Sequence, residues 1–353
     1  MNSPQTSQNT WTDRPSLTLR LALSCTLAIA AGIFVYWHLT VIEATRFGFD
    51  FTWAWRGARV LLSGRNPYVD IQPTGPFPFN SAFKYPLPVA AIAIPVANLS
   101  VRAATAIFEG AGFGLLAFAL TREGFWRLPI LMSAPCIATL VMGQWSLLLT
   151  AAAVMPSVAW LICLKPTTGF ASFVYRPTWS AVVGSLAAYA LCLLFVPTWP
   201  LEWMHAMFFD PSTHWYVSAV ALPFGPILLL TALRWRTREG RMLFALAAVP
   251  QVQAFYSGLP ALLVGRNFVE CATLSLASSV GYLGWIWYDW KVPESQLADP
   301  AHQAPWLLMT VYLPALAVVL LRPNAGGVPD WIERRLGKAP SWLRGKPEHA
   351  CGL

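Results

Sequence analysis

The chain has 353 residues, of which 56% are hydrophobic and only 11% are charged. A soluble domain usually has about a quarter of its residues charged, so this composition argues against an ordinary soluble protein and favours an integral membrane protein. The formal net charge of +8 does not indicate nucleic-acid binding, because the basic residues stand in short loops beside apolar segments, as the positive-inside rule describes.

Apolar segments follow one another along the whole chain, and a chain of this length has room for roughly eight to ten of them. None shows the alternation of a barrel strand, so we predict helices, because backbone groups in lipid must pair within their own segment. The segments cover residues 19–42, 86–99, 103–120, 128–143, 145–164, 179–198, 216–233, 242–264, 268–288 and 304–321. The sequence predicts an all-α polytopic membrane domain over 19–321, between cytoplasmic tails at 1–18 and 322–353.

Three of these segments look unable to form ordinary spans, because prolines inside them should break or kink the helix. The prolines are Pro86, Pro88 and Pro95 in segment 86–99, Pro156 in segment 145–164, and Pro250 and Pro260 in segment 242–264. If the first and third segments enter and leave on one side, the basic loops and both termini become cytoplasmic, and loops 39–85, 199–215 and 289–303 become external. Segment 145–164 fits either arrangement. The alternative is that the prolines only kink full spans.

Loop 39–85 carries the main cluster of acids and arginines. It begins with Glu43, Arg46 and Asp50, and TWAWRGARVLL then predicts a short amphipathic helix at the surface, followed by a turn at GRNPY. A carboxylate in an apolar setting, such as Asp50 between two phenylalanines, can act as a general base. Arginines in and after the helix could bind a phosphate or diphosphate through forked hydrogen bonds, and these are Arg56, Arg59 and Arg65. The alternative is a salt-bridged interfacial helix without a catalytic role.

Further polar candidates stand at the edges of apolar segments. Gln144 and Lys165 flank segment 145–164, where an ionisable residue suggests a site, although a snorkelling lysine is equally ordinary. Loop 199–215 contains His205, Asp210 and His214 without the spacing of a metal site. The chain has no HExxH, no glycine-rich phosphate loop and no GxSxG, so we predict no metal and no cofactor.

Several motifs occur together in an order that resembles a known family. The chain reads FDFTWAWRGARVLLSGRNPY, then KYPLPVAAIAIPVANL, then MGQWSLLLTAAAVM and finally LKPTTGF. This order resembles the integral-membrane glycosyltransferases of family 87, the alpha-mannosyltransferase-like group with the GT-C fold. The similarity covers about residues 19–176 and, more weakly, 242–266. In that family an acid follows the first span, and G-x-N-P-Y, Y-P, G-Q and K-P follow in turn.

The resemblance implies transfer of a mannose-like hexose or a pentose from a polyprenyl-phosphate donor to a glycan or glycolipid acceptor at the external face of the membrane. It implies that Asp50 is the base and that Lys165 and the arginines hold the donor phosphate. Other candidate binding residues are Tyr68, Gln144 and Gln251. Two features differ from the family: the interval from Gln144 to Lys165 is short, and Gln251 stands where Ser-Pro-His is common. A full crossing between Gln144 and Lys165 would put Lys165 on the cytoplasmic side.

The sequence therefore predicts a multi-pass glycosyltransferase of a cell (inner) membrane, with membrane lipid as its surroundings and no nucleic-acid partner. The alternatives are a lipid-carrier flippase or transporter, and a non-catalytic membrane partner descended from the enzyme. Pro-broken helices also occur at transport sites, whereas the apolar segments here contain few internal charges.

Overall fold

The computed structural model describes residues 15–42, 49–74, 81–209, 216–289 and 302–326, which are mostly helical. The α-helices are α1 (Leu17–Trp37), α2 (Phe51–Leu62), α3 (Pro67–Asp70), α4 (Pro88–Ala93), α5 (Val101–Leu120), α6 (Ala134–Met142), α7 (Ser146–Val154), α8 (Pro166–Tyr175), α9 (Trp179–Cys192), α10 (Trp199–Phe209), α11 (Arg238–Ala248), α12 (Phe268–Asp289) and α13 (Ala304–Leu320). Stretches of 3-10 helix are Ile94–Val96, Thr121–Glu123, Leu128–Met132, Pro156–Leu164, Ala219–Ala221, Gly225–Arg234 and Phe255–Val264. Turns of π-helix are His38–Ile42, after α1, and Leu308–Tyr312, within α13.

Two of the described helices are long and apolar enough to cross a membrane, judged by length and composition alone. They are Leu17–Ile42 and Val101–Glu123. Shorter apolar helices are Trp179–Cys192, Gly225–Arg234, Phe255–Val264 and Ala304–Leu320. The predicted apolar segments thus form a mostly helical structure, but many of them are interrupted before they reach the length of a full span.

One pair of short strands departs from the predicted all-helical fold. β1 (Tyr216–Val217) and β2 (Gln251–Val252) are antiparallel, with Tyr216 opposite Val252 and Val217 opposite Gln251. Pro250 explains the exception, because it cannot continue the hydrogen bonding of α11. The backbone groups that follow it must find other partners, and β1 supplies them.

Helices α1 and α5 pack against each other through small residues. A side-chain carbon added at Gly110 would lie 2.6 Å from the carbonyl oxygen of Ala28, and one at Gly32 would lie 3.1 Å from the carbonyl oxygen of Ala106. The helices are antiparallel, because the Arg20 side chain near the start of α1 donates to a carbonyl near the end of α5. Glycine therefore allows a closer approach of the two backbones than a larger residue would.

Segment 145–164 forms a hairpin. α7 ends at Val154, the chain turns at Pro156, and a 3-10 helix runs back to Leu164. The residues that flank the hairpin meet, because Nζ of Lys165 donates a hydrogen bond to Oε1 of Gln144 at 3.1 Å. The predicted break at Pro156 is confirmed, and the contact excludes a full crossing between Gln144 and Lys165.

Segment 242–264 also returns to its starting point. α11 stops before Pro250, and the 3-10 helix Phe255–Val264 leads back until Nη2 of Arg266 lies 2.8 Å from Oε2 of Glu239. The predicted break at Pro250 is confirmed. The predicted break at Pro260 is wrong, because this proline lies inside the 3-10 helix. Its fixed φ suits a helical backbone, and only the hydrogen bond of its own nitrogen is lost.

Segment 86–99 begins and ends beside α2, the amphipathic helix that the sequence predicted after Asp50. Before the segment, the Tyr85 hydroxyl bonds to Asp50, and at its end the carbonyl of Leu99 accepts from Nε1 of Trp55 at 3.1 Å. The turn after α2 has the predicted form: Gly64 has a φ of 71°, and the Asn66 side chain caps the following helix.

Arginines collect at the end of the molecule away from Asp50, which we call the arginine end. Its members are Arg20, Arg122, Arg127, Arg176, Arg234, Arg236, Arg238, Arg241, Arg266 and Arg322. Contacts between distant parts of the chain connect them: Arg176 donates to the carbonyl of Val154, and Arg241 to that of Val174. α5 connects the two ends: Phe51, next to Asp50, stacks on Phe108, and about 15 Å of helix lies between Phe108 and Phe118, which accepts a hydrogen bond from Arg20.

We expect Gly110→Ala to lower the thermal unfolding midpoint in detergent, because the added methyl group would overlap the backbone of α1 and cost about 1–3 kcal/mol. Gly112→Ala is the matched control, since its methyl group would make an ordinary contact of 3.4 Å with Leu147. Equal midpoints for the two variants would contradict the close packing of α1 on α5.

Candidate active site

Asp50 is held just before α2 by an unusual backbone. Phe49 has a φ of 45°, in the left-handed region that costs a non-glycine residue roughly 1–2 kcal/mol. The backbone nitrogen of Asp50 donates to the carbonyl oxygen of Met142 at 3.3 Å, which ties the residue to the end of α6. Strained backbone of this kind is concentrated at functional sites.

A chain of hydrogen bonds connects Asp50 to two other predicted site residues. Nε2 of Gln144 donates to Oδ2 of Asp50, and Oε1 of Gln144 accepts from Nζ of Lys165. The hydroxyl of Tyr85 donates to the same Oδ2 at 2.8 Å. Both bonds to the carboxylate end on Oδ2, so they do not occupy Oδ1. One amide therefore fixes the orientation of both an acid and a cation.

The motifs around Gln144 and Lys165 explain their positions. Gly143 ends α6 in the left-handed conformation with a φ of 59°, which turns the chain and directs Gln144 towards Asp50. Pro166 is the first residue of α8, where its missing N–H costs nothing. Lys165 therefore lies at a junction between two helices, with its ammonium 5.0 Å from the centre of the Tyr256 ring.

Tyr85 is a donor to Asp50 that keeps its proton. Burial, together with the negative charge of Asp50, raises the pKa of the Tyr85 hydroxyl well above its usual value. The hydroxyl therefore remains a hydrogen-bond donor at all physiological pH values. Its own position is fixed by Tyr68, whose hydroxyl donates to the carbonyl oxygen of Tyr85 at 2.7 Å.

A cavity of about 440 Å³ opens beside this chain of hydrogen bonds. It is lined by Lys84, Tyr85, Pro86, Lys165, Pro166, Thr167, Trp203, Met204, Met207, Phe208 and Tyr216. The wall from α10 is apolar, whereas Lys165 and Tyr85 stand on the wall next to Asp50. Trp203 fixes α10 to this wall, because its Nε1 donates to the carbonyl of Lys84 at 2.9 Å. The cavity combines a long apolar surface with one polar corner.

The predicted arginines do not line this cavity. Arg59 is exposed and stacks on Trp55 at 4.8 Å. Nε of Arg65 lies 3.1 Å from Oδ2 of Asp70, and the side chain is 59% exposed. Arg56 is half-buried on α2. Their role in binding a donor phosphate stays a prediction, and Lys165 is the predicted cation that the fold brings to Asp50.

Gln251 lies in a different, fully buried network. Its Oε1 accepts from the Thr168 hydroxyl at 2.9 Å, and its Nε2 donates to the carbonyl of Leu246 and to Tyr312. It joins β2 to α8 and α13 and does not line the cavity. The structure therefore places it as a residue that supports α8, the helix that follows Lys165.

Sequence reasoning gave no role to Tyr85 or Tyr256, although Tyr85 belongs to the Y-P motif that contributed to the resemblance. That motif could have indicated Tyr85, whereas Tyr256 reaches the site only because segment 242–264 folds back on itself.

Glu43, Arg46, Asp210 and His214 lie outside the described residues. His205 lies on α10, with its ring 4.7 Å from that of Phe209. Within the described ranges, no group of three or more His, Cys, Asp or Glu side chains is placed to hold a metal ion.

We expect Gln144→Leu to destabilise the protein by about 1–3 kcal/mol, because Asp50 and Lys165 both lose a hydrogen-bond partner that leucine cannot replace. Gln72→Leu is the control, since Gln72 is exposed and bonds only to backbone carbonyls of its own turn. Denaturation followed by tryptophan fluorescence in detergent measures both. Similar small losses in the two variants would show that the Asp50–Gln144–Lys165 chain contributes little.

Comparison of this chain with protein-family models, curated proteins and solved structures found no match. A function for the site therefore has to be inferred from its geometry and from the order of the motifs that form it.

Proposed function

We propose that this protein is an integral membrane glycosyltransferase that moves a hexose or pentose from a polyprenyl-phosphate donor to a glycan or glycolipid acceptor at the external face of the membrane. The observation that carries the proposal is the hydrogen-bonded chain of Asp50, Gln144 and Lys165 beside the apolar cavity. It combines a possible base, a cation suited to a phosphate and a surface suited to a lipid.

Two observations support a polytopic protein in a membrane. Large apolar side chains are exposed along α1, α9, α10, α12 and the 3-10 helix Gly225–Arg234, where water would be an unfavourable neighbour. The arginine end lies opposite the Asp50 end, as expected if the arginines face the cytoplasm and Asp50 faces outward. The prolines and short helices then belong to re-entrant segments, which are tolerated where they line a cavity.

In the proposed reaction, Oδ1 of Asp50 takes the proton of an acceptor hydroxyl. The acceptor oxygen forms a bond to the anomeric carbon of the sugar, and the bond between that carbon and the phosphate oxygen breaks. The polyprenyl phosphate leaves with the electron pair, and the ammonium of Lys165 stabilises its negative charge. The Gln144 amide keeps base and cation oriented, while the apolar wall of α10 accommodates the isoprenoid chain.

A second candidate is a flippase for a lipid-linked carrier. The hairpins at 145–164 and 238–264 favour it, because broken helices whose ends turn back are common at transport sites. A third candidate is a non-catalytic partner, favoured by Gln251, which cannot carry a proton as the family histidine can.

We expect Asp50→Asn to lower transfer of a radiolabelled sugar from a polyprenyl phosphate by at least about 100-fold, because an amide cannot accept the proton. Asp70→Asn is the matched control, because it is the same chemical change in the same loop. Asp70 pairs with Arg65 and does not line the cavity. Full transfer by the Asp50→Asn enzyme would refute the role of the base. If wild-type protein transfers nothing but moves the lipid across vesicles, the flippase is correct.

We expect the two ends of the molecule to lie on opposite sides of the membrane. In a background without native thiols, Val69→Cys in intact cells should react with a membrane-impermeant maleimide, and Arg122→Cys should react only after permeabilisation. Both positions are exposed, so the difference reports sidedness rather than burial. Labelling of both cysteines in intact cells would contradict the proposed topology.

A further inference from the structure

A second cavity, of about 350 Å³, lies at the arginine end and has no part in the proposed reaction. It is lined by Pro15, Arg20, Arg122, Glu123 and Arg176. These residues come from the start of α1, the turn after α5 and the end of α8. Three guanidinium groups from separate parts of the chain therefore surround one space.

Two of these arginines, Arg20 and Arg176, are held by neutral groups that do not cancel their positive charge. Nη2 of Arg20 donates to the carbonyl oxygen of Phe118 at 2.7 Å, and the guanidinium lies 4.1 Å from the centre of the Phe118 ring. Nη1 of Arg176 donates to the carbonyl oxygen of Val154 at 3.1 Å. Neutral carbonyls orient a guanidinium but do not neutralise it, and each group has five N–H donors.

The acidic residue in the lining compensates only part of this charge. Oε2 of Glu123 lies 3.7 Å from Nη1 of Arg127, a buried arginine outside the lining. Three positive groups and one shared carboxylate thus give the cavity an excess of positive charge. Guanidinium groups in this arrangement favour an anion with several oxygens, above all a phosphate, which accepts forked hydrogen bonds.

The surface beside the cavity indicates where such a phosphate would come from. α1, which carries Arg20, exposes its leucines: Leu17 is 60%, Leu19 50% and Leu21 47% accessible. The exposed apolar surface of α1 next to a cationic cavity matches the two parts of a phospholipid. We propose that this cavity binds the phosphate of an anionic glycerophospholipid, with the acyl chains along α1. The proposal needs a membrane-embedded protein but does not depend on glycosyl transfer.

The test uses purified full-length protein in a neutral detergent and follows the thermal unfolding midpoint. Phosphatidylglycerol, phosphatidylcholine and glycerol 3-phosphate are titrated separately. We expect phosphatidylglycerol to raise the midpoint by about 3 °C, because a ligand that binds only the folded state stabilises it. Phosphatidylcholine should raise it less, and glycerol 3-phosphate should act only at much higher concentrations, because it has no chains to contact α1.

Arg122→Gln should weaken phosphatidylglycerol binding about fivefold, and Arg122→Glu should weaken it further, since each charge near a lipid headgroup contributes a comparable amount. Arg122 is exposed, so neither change should prevent folding. Arg59→Gln, which removes an exposed arginine at the Asp50 end, is the control and should bind normally. Equal stabilisation by phosphatidylcholine, stabilisation by glycerol 3-phosphate alone, or equal weakening in Arg59→Gln would overturn the proposal.

Discussion

The hydrogen bond from Lys165 to Gln144 is the contact on which the organisation of the Asp50 end depends. Those two residues stand at opposite ends of a segment that contains α7 and a 3-10 helix, and the bond requires that the segment return to where it began. Once the ends are fixed, Gln144 can turn its other side to Asp50. The cation and the carboxylate are then parts of one network, although they stand 115 positions apart in the chain.

Proline is the physical reason that the chain can return. Pro156 interrupts one apolar segment and Pro250 another, and in each case the helix stops and a narrower 3-10 helix leads back. The second hairpin is closed by the ion pair of Glu239 with Arg266, in which the carboxylate is almost completely buried. A buried carboxylate needs such a partner, because an isolated charge away from water is costly. Each hairpin is thus closed by a polar contact between its two ends: Gln144 with Lys165 at the Asp50 end, and Glu239 with Arg266 at the arginine end.

The candidate site was only partly predictable. Asp50, Gln144 and Lys165 could be selected because acids, amides and lysines at the edges of apolar segments are uncommon and because they belong to ordered motifs. The arginines of loop 39–85 were equally plausible by composition, yet Arg59 stacks on Trp55 and Arg65 pairs with Asp70. Helical spacing indicates which residues share a face of α2, but it does not indicate which face meets the cavity.

The sequence by itself determined the apolar, helical character of the chain, the amphipathic helix after Asp50, and the breaks at Pro156 and Pro250. These features follow from composition, from local periodicity and from the missing N–H of proline, all of which act within a few residues. Only the tertiary structure decided that Lys165 lies beside Asp50, that Tyr85 donates to the same carboxylate, and that Arg20, Arg122 and Arg176 share a cavity. Those contacts join residues far apart in the chain, and their formation depends on the packing of whole helices, which no local pattern specifies.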